Sequence, residues 1–115
     1  MKSEQLHNRR RIIELSHEAN TTHIGSALSV VDIIEAVYVV KKPEEKFVLS
    51  NGHAAAALYV VMERYGLLDN PSINKLGVHP DRNPDIGIEV SSGSLGQGLP
   101  IAVGMALAGR KKNIY

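Results

Sequence analysis

The chain has 115 residues, 43% of them hydrophobic and 22% charged, with a formal net charge of +1. That length suits one compact domain, and the balance excludes disordered and fibrous classes. A charge so near neutral, with four Tyr, one Phe and no Trp, gives neither an electrostatic footprint nor a stacking platform for nucleic acid.

The spacing of Leu6, Arg10, Ile13 and His17, with Ile12 and Leu15 beside them, predicts an amphipathic helix over residues 3–19. The Arg9-Arg10-Arg11 run falls in it and reads as a solvated face. Residues 20–26 form a break rich in groups that compete for backbone hydrogen bonds. Ser29 and Asp32 form a capping box, which predicts a second helix from there to Val40, ended by Lys41-Lys42-Pro43. Residues 46–49 read as a short buried strand, and 52–65 as an apolar helix closed by Gly66. Residues 67–87 carry three of the five prolines and read as loop, with one helical turn near 72–76. Residues 88–90 read as a short strand or extended segment, and 91–98 as a glycine loop. An uncharged helix follows over 99–109, its Pro100 tolerable in the first turn. Residues 113–115 look like the start of an unfinished strand. This alternation predicts an α/β fold, with helices packed on a short parallel sheet. The two helices that are apolar all round lack cover, which implies a partner surface.

Cysteine is absent, so disulfides and thiolate metal sites are excluded and a reducing compartment is expected. No apolar run approaches the roughly 20 residues that span a bilayer, and the first six residues lack a signal-peptide core. A cytoplasmic protein without membrane or nucleic-acid contacts is therefore expected.

Of the five histidines, His7 and His17 fall in the first helix and read as surface or packing residues. His23, His53 and His79 each stand in a break between elements, where binding groups gather in α/β folds, although three unrelated histidines would also fit. Their separations of 30 and 26 residues resemble no short zinc clip. The glycines at 93, 96 and 98 run G-x-x-G-x-G, which is neither the dinucleotide fingerprint nor a phosphate-binding P-loop. Such a loop ahead of a helix allows close backbone approach to an anionic or flat ligand; a tight turn with close helix packing explains it equally well.

Three segments, RRRIIELSHEANTTHIGSALSVVDIIEAVY, FVLSNGHAAAALYVVMERYG and GVHPDRNPDIGIEVSSGSLGQGLPIAVGMALAGRK, carry a resemblance in register. The chain resembles the N-terminal, thiamine-diphosphate-binding part of transketolase, an enzyme family that moves two-carbon ketol units between sugars. The resemblance implies that residues 1–115 are the N-terminal portion of such a domain. It implies that His53 meets the cofactor diphosphate, and that His23 and His79 hydrogen-bond substrate hydroxyls and the developing oxyanion. Gly93, Ser94 and Leu95 would lie along the cofactor. Histidine suits these tasks because imidazole can donate or accept a proton near neutrality.

The chain departs from the family at TTHIGS, where small residues and a proline are usual, and at Ser94, often proline. These changes suggest a divergent branch with another sugar substrate. The family's Gly-Asp-Gly and asparagine, which hold a diphosphate-bridging Mg²⁺, have no counterpart, and neither has the pyrimidine-binding domain. The metal ligands are therefore expected on another segment or chain, and none on this one. The leading expectation is a subunit of a split, transketolase-like enzyme, inactive alone and completed by other chains in an oligomer acting on sugars or sugar phosphates. The alternatives are a non-catalytic oligomerising or regulatory module, or a piece of a longer transketolase. A deoxyxylulose-phosphate-type synthase fits the motifs less well.

Overall fold

The protein is described by a computed structural model covering residues 2–115. Five helices carry the fold: α1 (Ser3–Glu18), α2 (Ile24–Val40), α3 (Ala55–Arg64), α4 (Ile73–Leu76) and α5 (Gly98–Ala108). Short 3₁₀ turns at Gly52–Ala54 and Pro84–Ile86 complete the regular structure.

α1, α2 and α3 pack together into the core. Residues 55–62 of α3 are all buried, and the alanines at its start let neighbouring backbones approach closely. Ile12 and Leu15 of α1 and Ala27, Val31, Ile34 and Tyr38 of α2 close around it. The all-apolar character of α3 is thus satisfied within the chain.

The Ser29–Asp32 capping box does not start α2, which begins five residues earlier at Ile24. Ser29 Oγ instead donates to the Ser26 carbonyl at 2.8 Å. The Asp32 carboxylate is engaged by Arg9, whose two guanidinium nitrogens donate at 2.9 and 2.7 Å. Arg9 holds the Asp32 carboxyl below its usual range. Arg11 reaches Glu63 on α3 at 2.9 Å and Asn70 at 3.0 Å. Two arginines of the run therefore seam the helices together, and of the three Arg10 alone is exposed.

The expected α/β arrangement of helices on a short parallel sheet does not form. Among the described residues there is no strand, only an isolated parallel bridge between Lys46 and Ile114 and an antiparallel one between Asn83 and Ile88. The first is held by three bonds: Lys46 N–H to Asn113 O at 3.3 Å, Tyr115 N–H to Lys46 O and Val48 N–H to Tyr115 O, both at 2.9 Å. A ladder needs successive paired positions, and residues 113–115 supply one. Residues 47–49 take their burial from the helices instead, with the Phe47 ring 5.8 Å from that of Tyr38. A three-residue apolar run has no periodicity to separate these outcomes.

Glu45 ties this junction together, accepting from Lys42 N–H at 2.8 Å, Asn113 Nδ2 at 2.7 Å and Tyr115 OH at 3.3 Å. The Lys42 N–H, ahead of the two side chains, holds its carboxyl below the usual range against the opposing effect of burial. A carboxylate with a depressed folded-state pKa contributes fully above its unfolded value, about 4.3 for Glu, and that contribution fades as pH falls through the folded value. Amide protection at Val48 and Tyr115 is therefore expected to drop between about pH 5 and about pH 3. The drop should vanish in Glu45→Gln; protection that is flat with pH in the wild type contradicts the assignment.

α5 differs from α3. Its Leu99, Ile101, Val103 and Leu107 are exposed, as is the preceding Leu95. Among the described residues no helix is long and apolar enough to cross a membrane.

Candidate functional site

His23 is the residue before α2. α1 ends where Asn20 takes a left-handed conformation, φ 51°, and Thr21 N–H returns to the Ser16 carbonyl at 2.9 Å. The chain reverses there, and the His23 carbonyl accepts Ala27 N–H at 3.2 Å to begin the helix. His53 lies in the Gly52–Ala54 turn that leads into α3. The N-terminal ends of two core helices thus bring these imidazoles together, with ring centroids 5.5 Å apart and nearly edge to face.

His79 arrives from a loop held by α3. Tyr59 is fully buried, and its hydroxyl lies 3.0 Å from the Leu76 carbonyl and 2.9 Å from that of Gly77, sharing its proton between them. Burial, with the Asp81 charge adding to it, pushes the Tyr59 phenol well above its usual pKa, so it remains a donor. Pro80, buried, anchors the other side of the loop. The His79 ring centroid stands 6.2 Å from that of His23. Three histidines separated by 30 and 26 residues form one cluster, with His23 and His79 exposed and His53 half-buried. Beneath His23 and His53 is a small cavity of about 10 Å³, lined also by Ser16, Thr21, Ala56, Ile73 and Val78.

The glycine loop crosses this cluster. Gly93 lies against the His79 ring, where an added Cβ would sit 2.9 Å from Cδ2. Ser94 and Leu95 follow in an exposed turn. Gly52 passes so close to Ser92 that a Cβ there would meet the Ser92 carbonyl carbon at 2.5 Å. These approaches admit hydrogen in place of a side chain, which accounts for glycine at both positions. Tyr59, Gly52 and Ser92 escape the sequence reading as site-building residues. Tyr59 leaves a signal, as the one hydroxyl-bearing side chain in the apolar run 54–62.

The arrangement offers imidazole donors and acceptors on an open wall, backed by a loop that allows close main-chain approach. This suits an oxygen-rich ligand with a phosphorylated end. Asp32 is committed to Arg9, and among the described residues no three His, Cys, Asp or Glu side chains gather to hold a metal ion. The imidazoles and the close-approach glycine loop offer hydrogen-bonding groups that fit the organic part and diphosphate of a cofactor.

The family described as transketolase, thiamine diphosphate binding domain, matches residues 4–114. The chain belongs to this family. It is 37% identical over 120 residues to one of the subunits of apulose-4-phosphate transketolase from Phocaeicola vulgatus, a match covering 90% of this chain and 42% of that protein. It is 35% identical over 129 residues to the 6-deoxy-6-sulfo-D-fructose transketolase subunit SqwG of Clostridium sp. (strain MSTE9), covering 84% and 46%. Transketolase of Buchnera aphidicola subsp. Baizongia pistaciae is 34% identical over 116 residues, covering 85% of this chain and 17% of that enzyme. The chain spans less than half the length of these transketolase relatives.

Proposed function

We propose that the chain is one component of a split transketolase-like enzyme that transfers two-carbon ketol units between sugars with thiamine diphosphate, and that other chains complete its site. The observation carrying this reading is the convergence of His23, His53 and His79 beside the glycine loop. Two relatives named as transketolase subunits support the split arrangement.

Thiamine diphosphate, when bound, supplies the electron sink for breaking and forming the carbon–carbon bond. His53, in the turn ahead of α3, meets the diphosphate where the helix N-terminus adds favourable positive potential. Gly93, Ser94 and Leu95 would lie along the cofactor. His23 and His79, both open to solvent, hydrogen-bond sugar hydroxyls and hold or release a proton at the substrate oxygen. Mg²⁺, where it joins the diphosphate, would need one or two carboxylate ligands, which the completing chain would supply. The exposed apolar residues of α5 supply surface for the completing chain. The absence of cysteine supports a reducing, cytoplasmic setting. A non-catalytic module would instead enclose these histidines in contacts between chains of a stable oligomer.

The test is calorimetric titration of thiamine diphosphate with Mg²⁺ into the chain alone and into mixtures with candidate partner subunits. Binding is expected to be weak or absent alone and to strengthen with the partner. His53→Ala should weaken it by about tenfold or more, the loss of a charge-assisted hydrogen bond. Identical titrations for wild type and His53→Ala would remove His53 from the cofactor site.

A further inference from the structure

Three segments remote in sequence meet at Ser92. Its N–H donates to the Pro80 carbonyl at 3.3 Å, beside His79. Its carbonyl carbon, carbonyl oxygen and Oγ press on Gly52, where an added Cβ would lie 2.5, 2.6 and 2.6 Å from them, beside His53. Its neighbours reinforce the same junction. Ser91 Oγ accepts Arg82 N–H at 2.8 Å, and Gly93 lies against the His79 ring. The Ser92 hydroxyl is buried and has no hydrogen-bond partner. An unpaired buried hydroxyl is uncommon enough to need a reason, because alanine would fill nearly the same space without stranding a polar group.

We infer that Ser92 is a positioning residue, setting where His53 and His79 stand through its contacts with Gly52 and Pro80. This rests on the reading of the histidine cluster as the cofactor and substrate site. The seam is matched in size, with no side chain at 52 and two heavy atoms at 92. A larger group at 92 pushes the Gly52–Ala54 turn away from the 79–80 loop, and a smaller one lets the two close. Ser92 itself lies outside the α1–α2–α3 core, so the spacing of the histidines is expected to respond more than global stability.

The test follows the five imidazoles by NMR through a pH titration of the full chain, comparing wild type with Ser92→Val and Ser92→Ala. His7 and His17, on α1, serve as internal references. Ser92→Val is expected to move the titration midpoints of His53 and His79 by about 0.3 pH unit or more, with His7 and His17 unmoved. It should also weaken thiamine diphosphate binding by the assembled complex about tenfold, since small misplacements of binding groups are costly. Ser92→Ala, which strands no hydroxyl, is expected to melt no lower than wild type and still to shift the same two histidines. A lower melting temperature with all five midpoints unchanged overturns the inference. If Ser92→Val fails to fold, unchanged His53 and His79 in Ser92→Ala overturn it equally. If the wild type binds no cofactor with any partner, while His53 and His79 still move in the Ser92 variants, the functional reading is removed and the positioning is left intact.

Discussion

Alanine in place of His23 or His79 is expected to lower kcat of the proposed assembly by about 10²- to 10³-fold, in the range of losing one general acid–base group. The two imidazoles are exposed at the mouth of the cluster with centroids 6.2 Å apart, close enough to address neighbouring oxygens of one substrate. His53→Ala should act differently. It is half-buried in the turn ahead of α3, so its loss falls on the concentration of cofactor needed, with kcat largely recovered at saturation. Steady-state kinetics at varied thiamine diphosphate separates the two patterns. Equal loss of kcat in all three variants, unrelieved by cofactor, contradicts this division of labour.

Tyr59 carries the largest expected effect on stability. Its ring is fully buried in α3, and its hydroxyl holds the carbonyls of Leu76 and Gly77. Tyr59→Ala leaves a cavity of aromatic size and is expected to cost about 3–5 kcal/mol. At this chain length that lowers the melting temperature by roughly 10–25 °C. Tyr59→Phe keeps the packing and strands two carbonyls, costing about 1–2 kcal/mol. It should also free the loop that carries His79, so its effect on kcat should exceed what its stability implies. Thermal melts of both variants, set beside the activity of Tyr59→Phe, check the two halves. A Tyr59→Phe protein with wild-type kcat would mean that the loop holds His79 without the hydroxyl.

The helices are legible in the sequence because their signals are local. α1 follows from its apolar spacing, α3 from an apolar run closed by glycine, α5 from an uncharged run with proline in its first turn, and α4 from a turn among prolines. The start of α2 is not, because Ser29 and Asp32 match a capping pattern while their side chains bond elsewhere. Asp32 goes to Arg9 on another helix, a contact no window along the chain reports. The same holds for Arg11 and Glu63. The short sheet is misread for a related reason: Val48 and Leu49 are buried as in a strand, but against helices, and residues 46–49 pair through a single bridge. The histidines stand out singly by their place in breaks, and the resemblance groups them. Their distances, and the seam of Ser92 with Gly52, arise from the packing of three helices. α5 keeps its apolar residues exposed, so the sequence-level need for a partner surface persists there and is relieved at α3.

In the proposed assembly, one chain carries a histidine wall that works only when another chain completes it. This is tested most directly by ketol transfer between sugar phosphates, with saturating thiamine diphosphate and Mg²⁺, for the chain alone and mixed with partner subunits. The prediction is no turnover alone, turnover with a partner, and its loss in the mixture when His23→Ala replaces the wild type. Turnover by the isolated chain, or full turnover of the mixture with His23→Ala, would contradict it.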